Sequence, residues 1–399
     1  VKRLSIIWLL PALLLLAWYR PTQGPVQFDF YGEQISFNWS ADLSVPFNKP
    51  TTEQNIQEFY REISKKDYSA LVNALQQYRR IHKPDDWLFY QLIRKTAQQI
   101  SPKSQNYPRY TLYKWYLLLQ TGFNVVLTST EQKILMYVQS DERIYNIPAR
   151  MKEGRQYICL NFHDYPGLQI EKEAFREISI PGSVTNTRGF SYKVTQLPVF
   201  DSTQYEEREL SFRFYQSKYE FKIRLNTEVK SIFANYPVVD YEYYFNIPMS
   251  DATYRSLIPT LRKNIAGMNM RNGVDYLMRF TRYAFLYRPD TEVFGDEKRL
   301  SPEQTLLYDQ SDCDDRAALF FYLVKELYDL PMLVLSYPEH VTIAVQLDKP
   351  VGKPIVYKGQ KYSVCEPTPQ KEDFGMGELL PALRNQHYQV VYAYQPGKN

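Results

Sequence analysis

The sequence predicts an α+β fold organised around one helix and the antiparallel strands that follow it, and three observations carry that reading. Ala317, Phe320, Val324 and Leu327 recur at helical spacing, with Cys313 four residues ahead of Ala317 on the same apolar stripe. Met332 to Tyr337, His340 to Leu347 and Lys361 to Cys365 then read as three strands separated by turns. Finally, an outline of helix end, strand, turn, strand and Gly-x-x-Tyr strand occurs twice, once from Tyr116 to Cys159 and again from Tyr322 to Cys365.

The helix comes first. Ser311 and Asp312 are cap-type residues, so it should start at or just before Cys313, with the sulfur among the free backbone N–H groups of the first turn. That position lowers a thiol pKa, whereas Asp312, Asp314 and Asp315 oppose a further negative charge, so an activated Cys313 needs a positive partner. Taken alone, a cysteine on such a stripe is most often a small residue filling the core.

Asp329-Leu330-Pro331 ends the helix, and Pro338-Glu339 turns the chain into a strand opened by His340. Period two puts His340, Thr342 and Ala344 on one face, small enough to lie under a helix, and Val341, Ile343, Val345 and Leu347 on the other. The third strand ends in Glu366-Pro367-Thr368, with Tyr362, Val364 and Glu366 alternating on one face. Cysteine, histidine and carboxylate thus follow in the order required of a thiol nucleophile, its base and the group that orients the base. His387, at the head of the last apolar strand (Tyr388 to Tyr394), is an alternative base of lower rank.

The run Ser-Asp-Cys-Asp-Asp-Arg-Ala at 311–317, Tyr-Pro-Glu-His at 337–340 and Cys-Glu-Pro-Thr at 365–368 resembles the core of the transglutaminase-like superfamily. The resemblance covers roughly residues 250–380, including Tyr287-Arg288-Pro289-Asp290 and Phe294-Gly295. It implies a papain-like fold, Cys313 as nucleophile and His340 as base, and hydrolysis or transfer at amide bonds of a peptide or protein. The family's third member is normally Asp in an Asp-Pro-Thr run. Here it is Glu366, one methylene longer, and the backbone must absorb the extra reach.

Composition sets the outer bounds. A chain of 399 residues with 44% hydrophobic residues and 15 Gly is long and apolar enough for two or three folded domains. A net charge of +4 without a basic run gives nucleic-acid binding no support, and the phosphate-cradling G-x-x-x-x-G-K and G-x-G-x-x-G runs do not occur. No cofactor is implied. A zinc site from Cys313, His340, Asp312 and Glu366 lacks paired ligand spacing. Lys2-Arg3 followed by the apolar run Leu4 to Trp18 has the layout of a secretory signal or an uncleaved N-terminal membrane anchor, which predicts an exported, periplasmic or cell-envelope protein. With only Cys159, Cys313 and Cys365, at least one thiol stays free.

Along the chain, residues 1–24 are read as the signal or anchor, 25–170 as an N-terminal domain, 171–248 as a β-rich middle domain and 249–399 as the catalytic domain. Val26 to Asn38 alternates as strands, while Glu53 to Gln77 and Trp87 to Ile100 look helical. In the middle, Leu210 to Leu225 reads as a hairpin, expected to join Phe190 to Leu197 and Tyr241 to Phe245 in a small sandwich or sheet. If the outline repeat is a duplication, the N-terminal domain is a degenerate copy of the same core. Tyr107, Lys133 and Leu160 then stand where Cys313, His340 and Glu366 stand, a set unable to do thiol chemistry. His82 and His163 receive no role. Backbone N–H of Cys313 and the side chain of Gln304 or Gln310 are the candidate oxyanion donors. Two functions survive this reading: an exported thiol hydrolase or acyl transferase, and a binding or scaffold protein of the cell envelope that keeps the fold without the chemistry.

Overall fold

The computed structural model describes residues 24–180, 187–287, 298–308, 310–369 and 373–397. The apolar segment Leu4 to Trp18, Arg288-Pro289-Asp290 and Phe294-Gly295 lie outside the described residues.

The fold is α+β with antiparallel sheets. A hairpin of β1 (Gly24–Phe30) and β2 (Glu33–Trp39) opens the chain, followed by helices α1 (Glu53–Ser64), α2 (Ser69–His82), α3 (Asp86–Ile100) and α4 (Tyr107–Gln120). The single helix expected from Glu53 to Gln77 is broken, because Asp67 Oδ1 accepts from Ser69 N (2.9 Å) and starts a new helix there. A sheet then forms from β3 (Val125–Ser129), β4 (Ile134–Gln139), β5 (Ala149–Lys152), β6 (Arg155–Cys159) and β7 (Arg176–Glu177), in the order β5-β6-β4-β3-β7.

The second half follows the same plan. Its hairpin is β8 (Tyr205–Phe214) and β9 (Ser217–Asn226); its helices are α5 (Glu228–Phe233), α6 (Tyr241–Phe245), α7 (Asp251–Ile265), α8 (Met270–Tyr283), α9 (Pro302–Leu307) and α10 (Cys313–Tyr328). Short parallel strands β10 (Leu286–Tyr287) and β11 (Gln310–Ser311) pair between α8 and α10. The sheet is β12 (Met332–Tyr337), β13 (His340–Val345), β14 (Ile355–Tyr357), β15 (Gln360–Cys365) and β16 (Gln389–Tyr394), in the order β14-β15-β13-β12-β16. Both sheets thus share one strand order, and each follows a long buried helix. In both, the turn into the Gly-x-x-Tyr strand is a left-handed pair, Glu153 (φ 51) with Gly154 (φ 74) and Lys358 (φ 47) with Gly359 (φ 79).

The sandwich expected in the middle is not formed. Residues 190–197 form no strand, and Tyr241 to Phe245 is a short helix started by Asp240, whose carbonyl accepts from Tyr243 N (3.0 Å). The β8–β9 hairpin packs instead on α7 and α8, where Phe212 and Phe221 meet Phe280 edge-on. Burial of the aromatic rings of Tyr244 and Phe245 outweighs the strand propensity of that run.

α10 is buried from Asp314 to Val324, and its Ala317, Phe320 and Val324 share a core with Val341, Ile343, Val345 and Cys365. The helix therefore lies on the β-branched face of β13. The face expected there, with Ala344, packs in a second buried cluster with Leu333, Leu335, Tyr337 and Tyr362, so both faces of β13 are covered.

Candidate functional site

The Ser-Asp-Cys-Asp-Asp-Arg run is first of all a helix start. Asp312 is the N-cap of α10: its Oδ1 accepts from Asp314 N (3.1 Å) and Asp315 N (3.4 Å), and Asp315 Oδ2 accepts in return from Asp312 N (3.3 Å). Asp315 also accepts from Leu300 N (2.8 Å) and Tyr244 Oη (3.2 Å). Arg316, fully buried, donates to the carbonyls of Thr281 (2.8 Å), Arg282 (2.9 Å) and Phe285 (3.0 Å), closing the C-terminal end of α8 with positive charge. These contacts fix Cys313 as the first residue of α10, half-buried.

The sulfur sits between opposing influences. Its thiol donates to Asp314 Oδ1 (3.5 Å). Burial, then the charges of Asp314 and Asp312, push the thiol pKa well up, against which the backbone N–H of Val341 favours the thiolate. The activated, low-pKa cysteine expected from its helix-end position is thus not what the surroundings produce. Arg299, the cation nearest in this network, pairs with Asp314 Oδ2 (3.4 Å) and lies 4.0 Å over the Tyr241 ring. Tyr241 Oη donates to the same Asp314 oxygen (3.3 Å). The positive charge is spent on the carboxylate.

His340 and Glu366 come together. His340 Nε2 stands 2.8 Å from Glu366 Oε2, and the carboxylate is 1% exposed. Burial lowers the imidazole pKa, but the hydrogen bond and charge of Glu366, with Asp314 and Asp312, raise it above the ordinary value. Thr368 N donates to Glu366 Oε1 (2.9 Å), so the Pro-Thr of the motif locks the carboxylate orientation. Arg282, also buried, donates to the Glu366 carbonyl through Nε (3.1 Å) and Nη2, and to Asp373 Oδ1 and Phe374 O (both 2.9 Å). Glu366 lies just past the end of β15, where its backbone is tied to α8 rather than to the sheet ladder.

With Nε2 held by Glu366, Nδ1 is the nitrogen left to take a proton. Among the described residues Cys313 and His340 are not hydrogen-bonded to each other. Val341, whose N–H faces the sulfur, is the residue next to His340, so helix start and strand start adjoin at this corner. His387 and Asp348 are exposed residues outside the pair. Gln304 is buried, and its Oε1 accepts from Ser301 N (3.0 Å) in a capping box. The side chain of Gln310 lies outside the described part of the structure. Among the described residues no group of three or more His, Cys, Asp or Glu side chains could hold a metal ion, and no helix is long and apolar enough to cross a membrane.

Strand register assigns the counterparts in the first half. Ile343 pairs with Cys365, and Leu160 N donates to Met136 O (2.8 Å), all four on the helix-facing side of their sheets. His340 therefore corresponds to Lys133, while Glu366 corresponds to Asn161 rather than Leu160, which faces the core. Tyr107, like Cys313, is the first residue of its helix after a side-chain cap, here Asn106. Asn161 Nδ2 donates to Tyr107 Oη (2.7 Å), which donates to Asp164 Oδ2 (2.8 Å). Lys133 pairs with Glu173. The sequence signals that could have found Asn161, Arg282 and Arg316 are weak: one shift of parity in the first case, and lone arginines in apolar helices in the others.

No protein-family model matches the chain, no curated protein matches its sequence, and no solved structure matches its fold.

Proposed function

We propose that the chain is a thiol-dependent amide hydrolase or acyl transferase with a transglutaminase-like, papain-like catalytic core, acting on a peptide or protein substrate. The observation that carries this reading is the His340–Glu366 pair at 2.8 Å, its carboxylate buried, beside a half-buried cysteine at a helix start. An imidazole oriented by a carboxylate is the arrangement a general base requires, and a purely structural histidine does not need it at the mouth of a cysteine helix.

The raised thiol pKa fixes the form of the first step. Cys313 rests as the neutral thiol, and its proton passes to His340 Nδ1 as Sγ bonds to the substrate carbonyl carbon. The carbonyl oxygen takes the negative charge, facing the backbone N–H of Cys313, since those of Asp314 and Asp315 are taken by the Asp312 cap. Nδ1 then returns the proton to the leaving amine nitrogen as the C–N bond breaks, leaving a thioester on Cys313. Water or a second amine attacks that thioester, giving hydrolysis or transfer. Glu366 holds the imidazole. The charge-then-apolar segment at residues 2–18 favours an exported location, as a secreted or envelope-anchored enzyme.

One observation favours the second reading, a binding or scaffold protein that retains the fold: the Cys313 thiol donates to Asp314, not to His340. Exposure of the purified protein to a peptide-amide library, with intact-mass and peptide mapping, separates the two. An acyl adduct on Cys313 that is lost in Cys313→Ala and fails to form in His340→Ala supports the enzyme. Tight peptide binding without any adduct supports the scaffold.

A further inference from the structure

We propose that the first half carries a separate buried site for one oxyanionic group, a phosphate or a carboxylate, between α3 and α4, centred on Lys114. Two facing helix stripes are polar here. From α3 come Tyr90, Gln91 and Arg94; from α4 come Tyr107, Tyr110, Thr111 and Lys114, at the spacing of a single helix face.

Lys114 is 1% exposed, its ammonium lies 4.6 Å from the ring centre of Tyr110, and it forms no ion pair or hydrogen bond among the described residues. It is the eighth residue of α4; the eighth residue of α10, on the matching helix of the second half, is the fully buried Phe320. The scaffold thus holds together with a phenyl ring at this position. A lysine there carries a desolvation cost that packing does not explain.

Three further polar atoms of the cluster, Tyr90 Oη, Gln91 Nε2 and Thr111 Oγ1, are buried with no hydrogen-bond partner, while His163 Nε2 stands 3.3 Å from Asp164 Oδ1 and Arg94 donates to Gln91 Oε1 (2.9 Å). They surround one acid, Asp164, which is taken up by Tyr107 Oη (2.8 Å) and Lys103 Nζ (2.5 Å). Against that single carboxylate stand Lys114, Arg94 and Lys103, all of which act electrostatically on His163. Cations therefore outnumber carboxylates in the cluster, the fully buried one being Lys114, and hydrogen-bond donors are in excess. A small oxyanion supplies both the charge and the acceptors, whereas a cation or an apolar ligand supplies neither. The half-exposed His163 and Lys103 mark the side from which it enters.

Burial lowers the Lys114 pKa to about 7, with Asp164 opposing and Arg94 and Lys103 assisting. An anion beside it raises that pKa again, so binding above neutrality takes up a proton. Calorimetric titration of the whole protein with sodium phosphate, and separately with sodium acetate, in two buffers of different ionisation heat reads that uptake directly. Expected is saturable binding with proton uptake for one of the two anions, and the arm that responds names the group. Lys114→Met should weaken it about tenfold or more, the loss of one charge-assisted contact, while Lys114→Arg should retain part of it. Saturable protection against heat, absent in matched chloride, is the second readout. The proposal is overturned if neither anion binds the wild-type protein saturably, if binding takes up no proton, or if Lys114→Met binds as tightly as the wild type.

Discussion

Glu366 Oε2 accepts from His340 Nε2 at 2.8 Å in a site where the carboxylate is almost wholly out of water. One bond thereby fixes three things: the ring orientation, the tautomer with its lone pair on Nδ1, and a raised imidazole pKa. Each has a measurable consequence.

Loss of the orienting charge should cost most. Glu366→Gln keeps the shape of the side chain but no longer favours the Nδ1-basic tautomer or the imidazolium. Amide turnover should fall by a factor on the order of 10⁴, with circular dichroism and chromatographic behaviour unchanged. Near-wild-type turnover in this variant would assign the orienting role to another residue.

The pH profile follows from the sign of the His340 shift. The base must be neutral to accept the thiol proton, so kcat/KM should rise with pH along a limb whose midpoint lies above the ordinary imidazole value of about 6.5. An acid limb below that value would mean a resting thiolate–imidazolium pair instead. The same shift contributes stability: with a folded pKa above the unfolded one, the contribution is full below about pH 6.5 and is lost as pH rises through the folded value. Unfolding titrations should therefore show the wild type losing its advantage over His340→Gln across that window.

Cys313 should be slow to alkylate. Burial together with Asp314 and Asp312 holds its thiol protonated, so iodoacetamide should label it more slowly near neutrality in the folded protein than in the denatured chain. Asp314→Asn removes the negative charge that opposes a thiolate and should speed labelling at the same pH. Faster labelling in the folded wild type than in the unfolded control contradicts the arrangement described here.

Arg316 ties α10 to the end of α8 with three carbonyl contacts inside the core. Arg316→Met leaves those carbonyls without a donor, and urea unfolding should show a loss of about 3 kcal/mol or more. A loss of a few tenths would mean that the carbonyls find other partners. Activity, where measurable below the transition, should also fall, because the α8 end carries Arg282, which holds the Glu366 backbone.

The candidate site was legible in the sequence because its signals are local. Helical spacing and cap residues place Cys313 at the start of α10, a Pro-Glu turn places His340 at the start of β13, and Glu366 follows directly on β15. Duplication of the outline was visible for the same reason, since turn chemistry at Glu153-Gly154 and Lys358-Gly359 depends on neighbouring residues alone. What needed tertiary structure was everything set by side selection and charge. Alternation gave two faces for β13 but not which one the helix covers; α10 packs on Val341, Ile343 and Val345, and a second buried cluster takes Ala344. Tyr241 to Phe245 has strand composition, and became a helix because its rings and hydroxyls meet α10. The thiol pKa could not be read from a helix-end position, because its sign depends on burial and on where Arg299 spends its charge. Periodicity and capping act over a few residues and are written in the chain; desolvation and pairing act between elements, and exist only once the elements have met.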